Sequence, residues 1–318
     1  MNITPGYFVS LPHEQALSTT LYIHYGISCA LNAVALYCLL RKTPDYMPSV
    51  RSYLLLIQTT MMLNDLVGDV LVQFVVLTPA VGFYCFGVVC RDGIPVNVPL
   101  ALFVALGCLV AVGITMCFVF KHQTVVPETS LFKLNKLFYK LLHVGAWSAC
   151  PVGFIVLLVI PMDYNVSDRA MNTYPFHLQW IRDRGSYYVY EKTDHIRVAG
   201  VIMIAGLAIW LLISNLIVWH VYYILNQILI VPSIFLCVPI IATTIATVAD
   251  FGNIDMGQVA THILLLHTPI HSIILLAITP VYRTFLRSCQ LTSEKIPAAS
   301  VASVTLGHSR GIAISERK

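Results

Sequence analysis

Residues 198–249 read VAGVIMIAGLAIWLLISNLIVWHVYYILNQILIVPSIFLCVPIIATTIATVA. No Lys, Arg, Asp or Glu lies between Arg197 and Asp250. At 1.5 Å per residue a single helix over this run would be about 80 Å long, more than twice the roughly 30 Å of bilayer hydrocarbon, so the chain has to turn back inside it. Asn226 and Gln227, just ahead of Pro232, mark the turn. The run is therefore read as two spanning helices, 198–222 and 228–249.

Working outward, five further apolar segments have the length of a span: 17–40, 53–78, 98–120, 141–162 and 258–282. Composition agrees. Hydrophobic residues make up 58% of the 318 and charged residues only 11%, against about a quarter in soluble domains. The expected fold is an all-α membrane protein, a seven-transmembrane helix bundle over 17–287, preceded by a short segment 1–16 and followed by a polar tail 288–318. Residues 1–16 lack the basic and apolar regions of a secretory signal, so the first helix is expected to stay as an anchor. No repeat or second domain is visible. The net charge of +4 is small and scattered, which argues against a nucleic-acid partner and leaves lipid as the obvious one.

Basic residues orient the bundle. Loops on one side and the tail carry 13 Lys and Arg, among them Arg41, Lys42, Arg51, Lys121, Lys133, Lys136 and Lys140; the other side carries six, outnumbered there by nine acids. The positive-inside rule places the N-terminus outside and the tail in the cytoplasm. Two glycosylation sequons, at Asn2 and Asn165, fall on the expected outer side. So do Cys85 and Cys90, the two cysteines in outer loops, which form a candidate local disulfide.

Ionisable residues within spans are costly and are treated as functional candidates. Asp65 and Asp69 lie four apart on the second span, and His267 and His271 four apart on the seventh, so each pair shares a helix face. Counted from the cytoplasmic ends at 1.5 Å per residue, the acids sit about 18 and 24 Å deep and the histidines about 16 and 22 Å, which makes an Asp–His hydrogen bond between the two helices the expectation. Asn32 on the first span lies slightly lower. The five residues form a candidate intramembrane polar cluster, whose role is either to hold the bundle or to switch it. The loop 163–197 carries Tyr174, Phe176, Trp180, Tyr187, Tyr188 and Tyr190, which suit either a lid or a headgroup belt.

Enzyme signatures are missing. HExxH, P-loop and Gly-x-Ser-x-Gly patterns do not occur, and the histidine pair is interrupted by Pro269 with no third ligand beside it. No catalytic residue, metal or cofactor is expected.

Several strings together carry a resemblance. Lys42-Thr43-Pro44-Asp45-Tyr46-Met47-Pro48-Ser49-Val50-Arg51 leads into the second span, Asn64-Asp65 lies within it and Gly82-Phe83-Tyr84-Cys85 follows it. The seventh span closes on Thr279-Pro280-Val281-Tyr282-Arg283-Thr284-Phe285. From about residue 17 to 287 the chain resembles the nematode seven-transmembrane chemoreceptors, the serpentine receptor superfamily with its class h, class i and class str types, whose seventh helix ends in a Pro-x-Tyr-Arg or Pro-Tyr-Arg motif; Pro280, Tyr282 and Arg283 occupy it here.

The resemblance implies a G-protein-coupled chemosensory receptor in the plasma membrane of sensory cilia, with a small environmental molecule and a heterotrimeric G protein as partners. Two departures bear on the G-protein contact. Phe120-Lys121-His122-Gln123 lacks the acidic residue and Arg that such receptors often place there, and His220 to Pro232 contains no Lys or Arg. By depth and polarity, the ligand residues are expected to be Gln73, Phe103, Thr243, Thr247 and His262 in the outer half. Beyond Pro280, Phe285, Leu286 and Cys289 alternate with Arg283 and Arg287 in the pattern of a membrane-surface helix, with Cys289 a palmitoylation candidate. The readings that compete are a secondary transporter, which would use midplane acids and histidines, and a degenerate receptor that folds without signalling.

Overall fold

The computed structural model describes residues 8–43, 48–91, 94–130, 132–159, 163–174, 178–191, 193–195 and 237–294, with 197–198, 201–202, 205–206, 209 and 235 between the last two stretches. The expected turn at Asn226-Gln227, the sequon at Asn2, Phe176 and most of the uncharged run lie outside these residues. The chain divides into two units, Met1–Leu275 and Leu276–Lys318.

Helix α1 (Leu11–Arg41) starts at an N-cap, Ser10, whose side chain accepts from the His13 N–H. Helix α2 (Pro48–Asp65) passes into a π-helical segment, Leu66–Val72. The short α3 (Val88–Arg91) precedes α4 (Asn97–Val125) and α5 (Lys136–Val159). After α6 (Tyr164–Thr173), the later part of the chain contains α7 (Val238–Val248), α8 (Ile254–Leu265) and α9 (His267–Ile278). Among the described residues five helices are long and apolar enough to cross a membrane: Leu11–Arg41, Ser49–Val72, Asn97–Val125, Lys136–Val159 and Ile254–Ile278; α7 is a shorter apolar helix. In α5 only Cys150 is buried, while Leu141, Val144, Val152, Ile155 and Val159 are exposed. Such a surface would aggregate in water, so its solvent is lipid.

Several boundaries differ from expectation, and three of them have a visible cause. The helix of the second span ends at Val72 instead of running to 78, because Gln73 takes a left-handed conformation (φ 53°) and gives its N–H to the Gly68 carbonyl five residues back at 2.9 Å. The first helix begins at Leu11 and not at 17, since its cap lies before the apolar run. The last spanning helix stops at Ile278, ahead of Pro280, whose ring cannot continue it.

The largest difference lies between the helices. β1 (Phe74–Val76), β2 (Gly82–Cys85) and β3 (Ser186–Val189) form an antiparallel sheet with β2 in the centre, pairing Phe74 with Cys85 and Cys85 with Ser186. Together with α6 and a 3₁₀ turn at Gln179–Asp183 this makes a folded cap at the end of the bundle where α1 begins. Val75, Leu77, Tyr84, Met171, Leu178, Ile181 and Val189 are its core, packed against Leu17 and Leu21 of α1 and Ile254 of α8. Among the described loop aromatics, Tyr174, Trp180 and Tyr187 pack against this core instead of forming a free lid or a headgroup belt. Trp180 meets Tyr84 edge-on at 5.5 Å between ring centres, and Tyr174 and Tyr187 pack on the same core. Cys85 and Cys90 are joined by a disulfide. Gly87 has to be glycine, since a Cβ there would collide with the Leu71 carbonyl oxygen and lie 2.6 Å from Val72 backbone atoms.

Tyr174 ties the cap's loops together: its hydroxyl accepts from the Val81 N–H at 3.1 Å and donates to the Tyr190 carbonyl at 3.2 Å. Burial, the main cause, pushes this phenol above its usual pKa; the Val81 bond lowers it and nearby Asp250 raises it. Because the raised group is neutral when folded, its contribution is whole below about pH 10 and is lost as pH climbs through the folded value. Tyr174→Phe is expected to lower stability by about 1–3 kcal/mol through two unsatisfied backbone groups. Thermal denaturation from pH 7 to 11 checks both points: the variant's alkaline decline should be shallower than that of the parent.

In the second unit, α10 (Pro280–Glu294) holds Tyr282 buried, Phe285 and Leu286 half-buried, and Arg283 and Arg287 exposed. The side chain of Cys289 lies outside the described residues.

Candidate functional site

The polar residues of α1, α2 and α9 meet in the middle of the bundle. Asp65 (1% exposed) accepts from the Ser28 hydroxyl and from Thr268 Oγ1 at 2.8 Å. One turn on, Asp69 accepts from His24 Nδ1 at 2.7 Å. Asn32 Oδ1 accepts from Gln58 Nε2 and from Ser272 Oγ at 2.8 Å, while Asn32 Nδ2 donates to Ser28 Oγ at 3.3 Å. Gln58 Nε2 also donates to Ser272 Oγ at 2.6 Å. Ser28, Asn32, Gln58, Asp65, Thr268 and Ser272 form one connected set that joins α1 and α2 to α9, far along the chain, and Asp69–His24 is a separate pair one turn away; all are fully or nearly buried except His24.

Of the five expected members, Asn32 and Asp65 are in the connected set, Asp69 is in the neighbouring pair with His24, and the two histidines are bonded to neither. The expected Asp–His bond between α2 and α9 does not form. Asp69 takes its histidine from α1, and Asp65 takes Thr268, the residue after His267. Matching depth along two helix axes says nothing about rotation about them, and a shift of one residue turns a helix face by about 100°. His267 and His271 lie beside one another instead, ring centres 5.8 Å apart and planes tilted by 37°. Sequence reasoning missed His24, Ser28, Gln58, Thr268 and Ser272. The signal was available, because His24, Ser28 and Asn32 recur every four residues on one face of α1, as do Thr268 and Ser272 on α9.

Beside this network lies a cavity of about 590 Å³. Its described walls come from α2 (Met61, Asn64, Asp65), α4 (Phe103 to Thr115), α5 (Ala146, Ala149), α7 with Cys237 before it and Ile240 in it, and α8 and α9 (Leu264 to Thr268). Small residues make the room: Gly107 and Ala111 on α4 and Ala146 and Ala149 on α5 all line it. Of the five expected ligand residues only Phe103 lines this cavity. Gln73 is spent on the cap end of α1, accepting from Ser18 Oγ at 3.0 Å and donating to the Asp69 carbonyl at 2.8 Å. Thr243 donates to the Pro239 carbonyl and Thr247 to the Thr243 carbonyl, the usual way for a threonine to satisfy itself in a spanning helix. His262 Nδ1 is 2.8 Å from the Gln258 carbonyl. The residues that line the cavity thus lie deeper in the bundle than the other four.

Other candidates are placed as follows. Asn165 is exposed in the first turn of α6, after the Asp163 N-cap. Among the described residues no group of three or more His, Cys, Asp and Glu side chains could hold a metal ion. At the opposite end of α4, Gln123 donates to the Phe132 carbonyl at 3.2 Å and accepts from the Leu134 N–H at 2.9 Å, and Lys133 Nζ reaches the Gln123 carbonyl at 2.8 Å. That short loop is held in part by the side chain of Gln123, from the string that departs from the receptor pattern.

Comparison with known proteins gives one family match: the model for the serpentine type 7TM GPCR chemoreceptor Srh matches residues 12–229. None of the curated proteins compared with the chain matches it.

Proposed function

The chain belongs to the Srh family of serpentine 7TM GPCR chemoreceptors, and from that premise we propose that it detects a small environmental molecule in the cavity beside Asp65 and signals through a heterotrimeric G protein by rearranging its helices. The observation that carries this reading is the Asp65–Thr268 bond, which borders the cavity and belongs to the network joining α1, α2 and α9. A ligand that contacts this wall has a way to favour one helix arrangement over another, and a differential affinity of a few kcal/mol shifts such a population decisively. The break between α8 and α9 at Leu266, one residue ahead of His267, supplies a bend point next to the same wall. Charge asymmetry of the loops supports an outside N-terminus, with the sheet and α6 as an extracellular cap. Family membership supports the plasma membrane of sensory cilia as the location.

Cells expressing the full chain with an N-terminal epitope tag and a promiscuous G protein test the reading. The tag should be labelled on intact cells, and a broad panel of small molecules should contain at least one that raises nucleotide exchange; filling the cavity with Ala111→Phe should lower that response at least tenfold without removing surface label. A tag reached only after permeabilisation, or a surface-displayed chain inert to every molecule that binds it, would sink the proposal.

A further inference from the structure

The walls of the cavity say what kind of molecule fits it. Liquid water takes about 30 Å³ per molecule, so about 590 Å³ has room for on the order of 20 water-sized groups. Phe103, Val104, Val110, Ile240 and Leu264 make most of the described wall apolar. Asp65 is the one Asp, Glu, Lys or Arg among the described lining residues, and both of its oxygens already accept from hydroxyls, of Ser28 and Thr268. Residues 198–249 can add no further such charge whatever their placement, because they contain none of these four residue types. A carboxylate or phosphate ligand would find no Lys or Arg among the described lining residues or in the run 198–249. An ammonium would have to exchange full hydration for a carboxylate already engaged, and an ion buried without a good partner is far more costly than a neutral group.

Part of the described wall is nonetheless polar. Asn64 and His267 each immediately adjoin a partner in the Asp65–Thr268 bond, and both line the cavity. Asn64 Oδ1 and His267 Nε2 are buried atoms with no hydrogen-bond partner among the described residues, and His267 is only 3% exposed. An orphaned buried polar atom is costly, so these two are places where a ligand gains by supplying what is missing. Asn64 Oδ1 needs a donor. His267 Nε2 needs a donor or an acceptor according to its tautomer, and a hydroxyl is the small group that can serve as either.

We infer that the ligand is an uncharged, mainly hydrophobic alcohol of at most about 20 non-hydrogen atoms, its hydroxyl held between Asn64 and His267 and its apolar body lying along the wall that contains Gly107. This rests on the receptor reading above for its biological meaning, but not for its test. Gly107 sets the length: a Cβ built there meets nothing within 4 Å, so a larger side chain enters free space.

The test uses the purified full chain in nanodiscs of neutral phospholipid and the primary n-alcohols from hexanol to eicosanol, with n-alkylamines, n-carboxylates and n-alkanes of the same lengths, read by thermal unfolding. Alcohols are expected to stabilise saturably up to a chain-length limit, with alkanes about tenfold weaker. His267→Leu and Asn64→Leu should each remove that preference for the alcohol, while His267→Gln, which keeps a polar atom and controls for folding, retains part of it. Gly107→Leu should shorten the limit by about the four carbons its side chain adds. Equal stabilisation by all four series, or a limit unchanged in Gly107→Leu, would mean partition into the bilayer and overturns the inference. Amines or carboxylates that outbind alcohols overturn the ligand class and leave the receptor reading standing. Saturable alcohol binding without nucleotide exchange by any bound molecule does the reverse.

Discussion

Asn32→Leu should cost about 2–3 kcal/mol of stability, visible as a lower unfolding temperature of the purified chain in mild detergent. Leu has the branched shape of Asn and is the larger side chain, so the loss does not come from a cavity. The loss comes from the partners left behind. Gln58 and Ser272 both direct donors at Asn32 Oδ1, and all three side chains are 0% exposed. Ser272 has a fallback in the Thr268 carbonyl at 3.2 Å, so the Gln58 amide bears most of the penalty. An orphaned buried donor costs roughly 1–3 kcal/mol, whereas interhelical bonds in membranes average about 0.6 kcal/mol because the unfolded helices also find partners. A value near the upper figure is expected here because three bonds on Asn32 are lost together. Adding Gln58→Leu should restore much of the stability, since two apolar side chains then face each other. A single variant that melts like the parent would mean that apolar packing alone holds α1, α2 and α9.

A similar or larger effect is expected from Arg184→Ala. Arg184 Nη1 lies 3.4 Å from Glu14 Oε2, with the two side chains 13% and 10% exposed, and the guanidinium sits over the Trp180 ring at 6.0 Å. The pair fastens the cap to the start of α1. Removing one partner from a buried ion pair costs about 3–5 kcal/mol because the other charge is stranded. Arg91 also acts on Glu14 and some water reaches the pair, so about 2–4 kcal/mol is the expected loss. Screening reaches a buried pair poorly, and the difference from the parent should survive 1 M salt. Glu14→Leu combined with Arg184→Leu should lie closer to the parent than Arg184→Ala does. If salt abolishes the difference, the pair is solvated and the cap is held by its apolar core alone.

How much of this was readable beforehand varies with the range of the interaction. Hydropathy singles out membrane-crossing segments because each is a local property of about 20 consecutive residues. Asn32, Asp65 and Asp69 stand out for the same reason, as polar groups inside apolar runs. Ser28, Thr268 and Ser272 do not, because single hydroxyls are ordinary in spanning helices and reveal themselves only by their partners. The early end of the α2 helix was hidden too. Gln73 adopts a left-handed backbone with no Gly or Pro to announce it, held by Ser18 Oγ from α1. The cap was the least legible part: strands of three or four residues carry too little alternation to be recognised, and β3 pairs with a strand some hundred residues earlier. As for the ligand residues, a search for polar groups in the outer half finds side chains that satisfy themselves, whereas the cavity is created by what Gly107, Ala111, Ala146 and Ala149 lack.

The pairing of β2 with β3 also sets an order of events during biosynthesis. The β1–β2 hairpin and the Cys85–Cys90 loop are complete once residue 90 has been made, but Ser186, the partner of Cys85, is 101 positions further along. At the roughly 5–20 residues per second of translation, β2 therefore waits on the order of 5–20 s with one edge open. During that interval α4 and α5 must insert, and only their correct placement brings the third strand alongside. Thiol oxidation begins on a similar timescale of seconds and upward. Closing of the sheet thus reports that the first four membrane helices are in place, which makes an exposed β2 edge a natural mark of a nascent chain that has failed to insert.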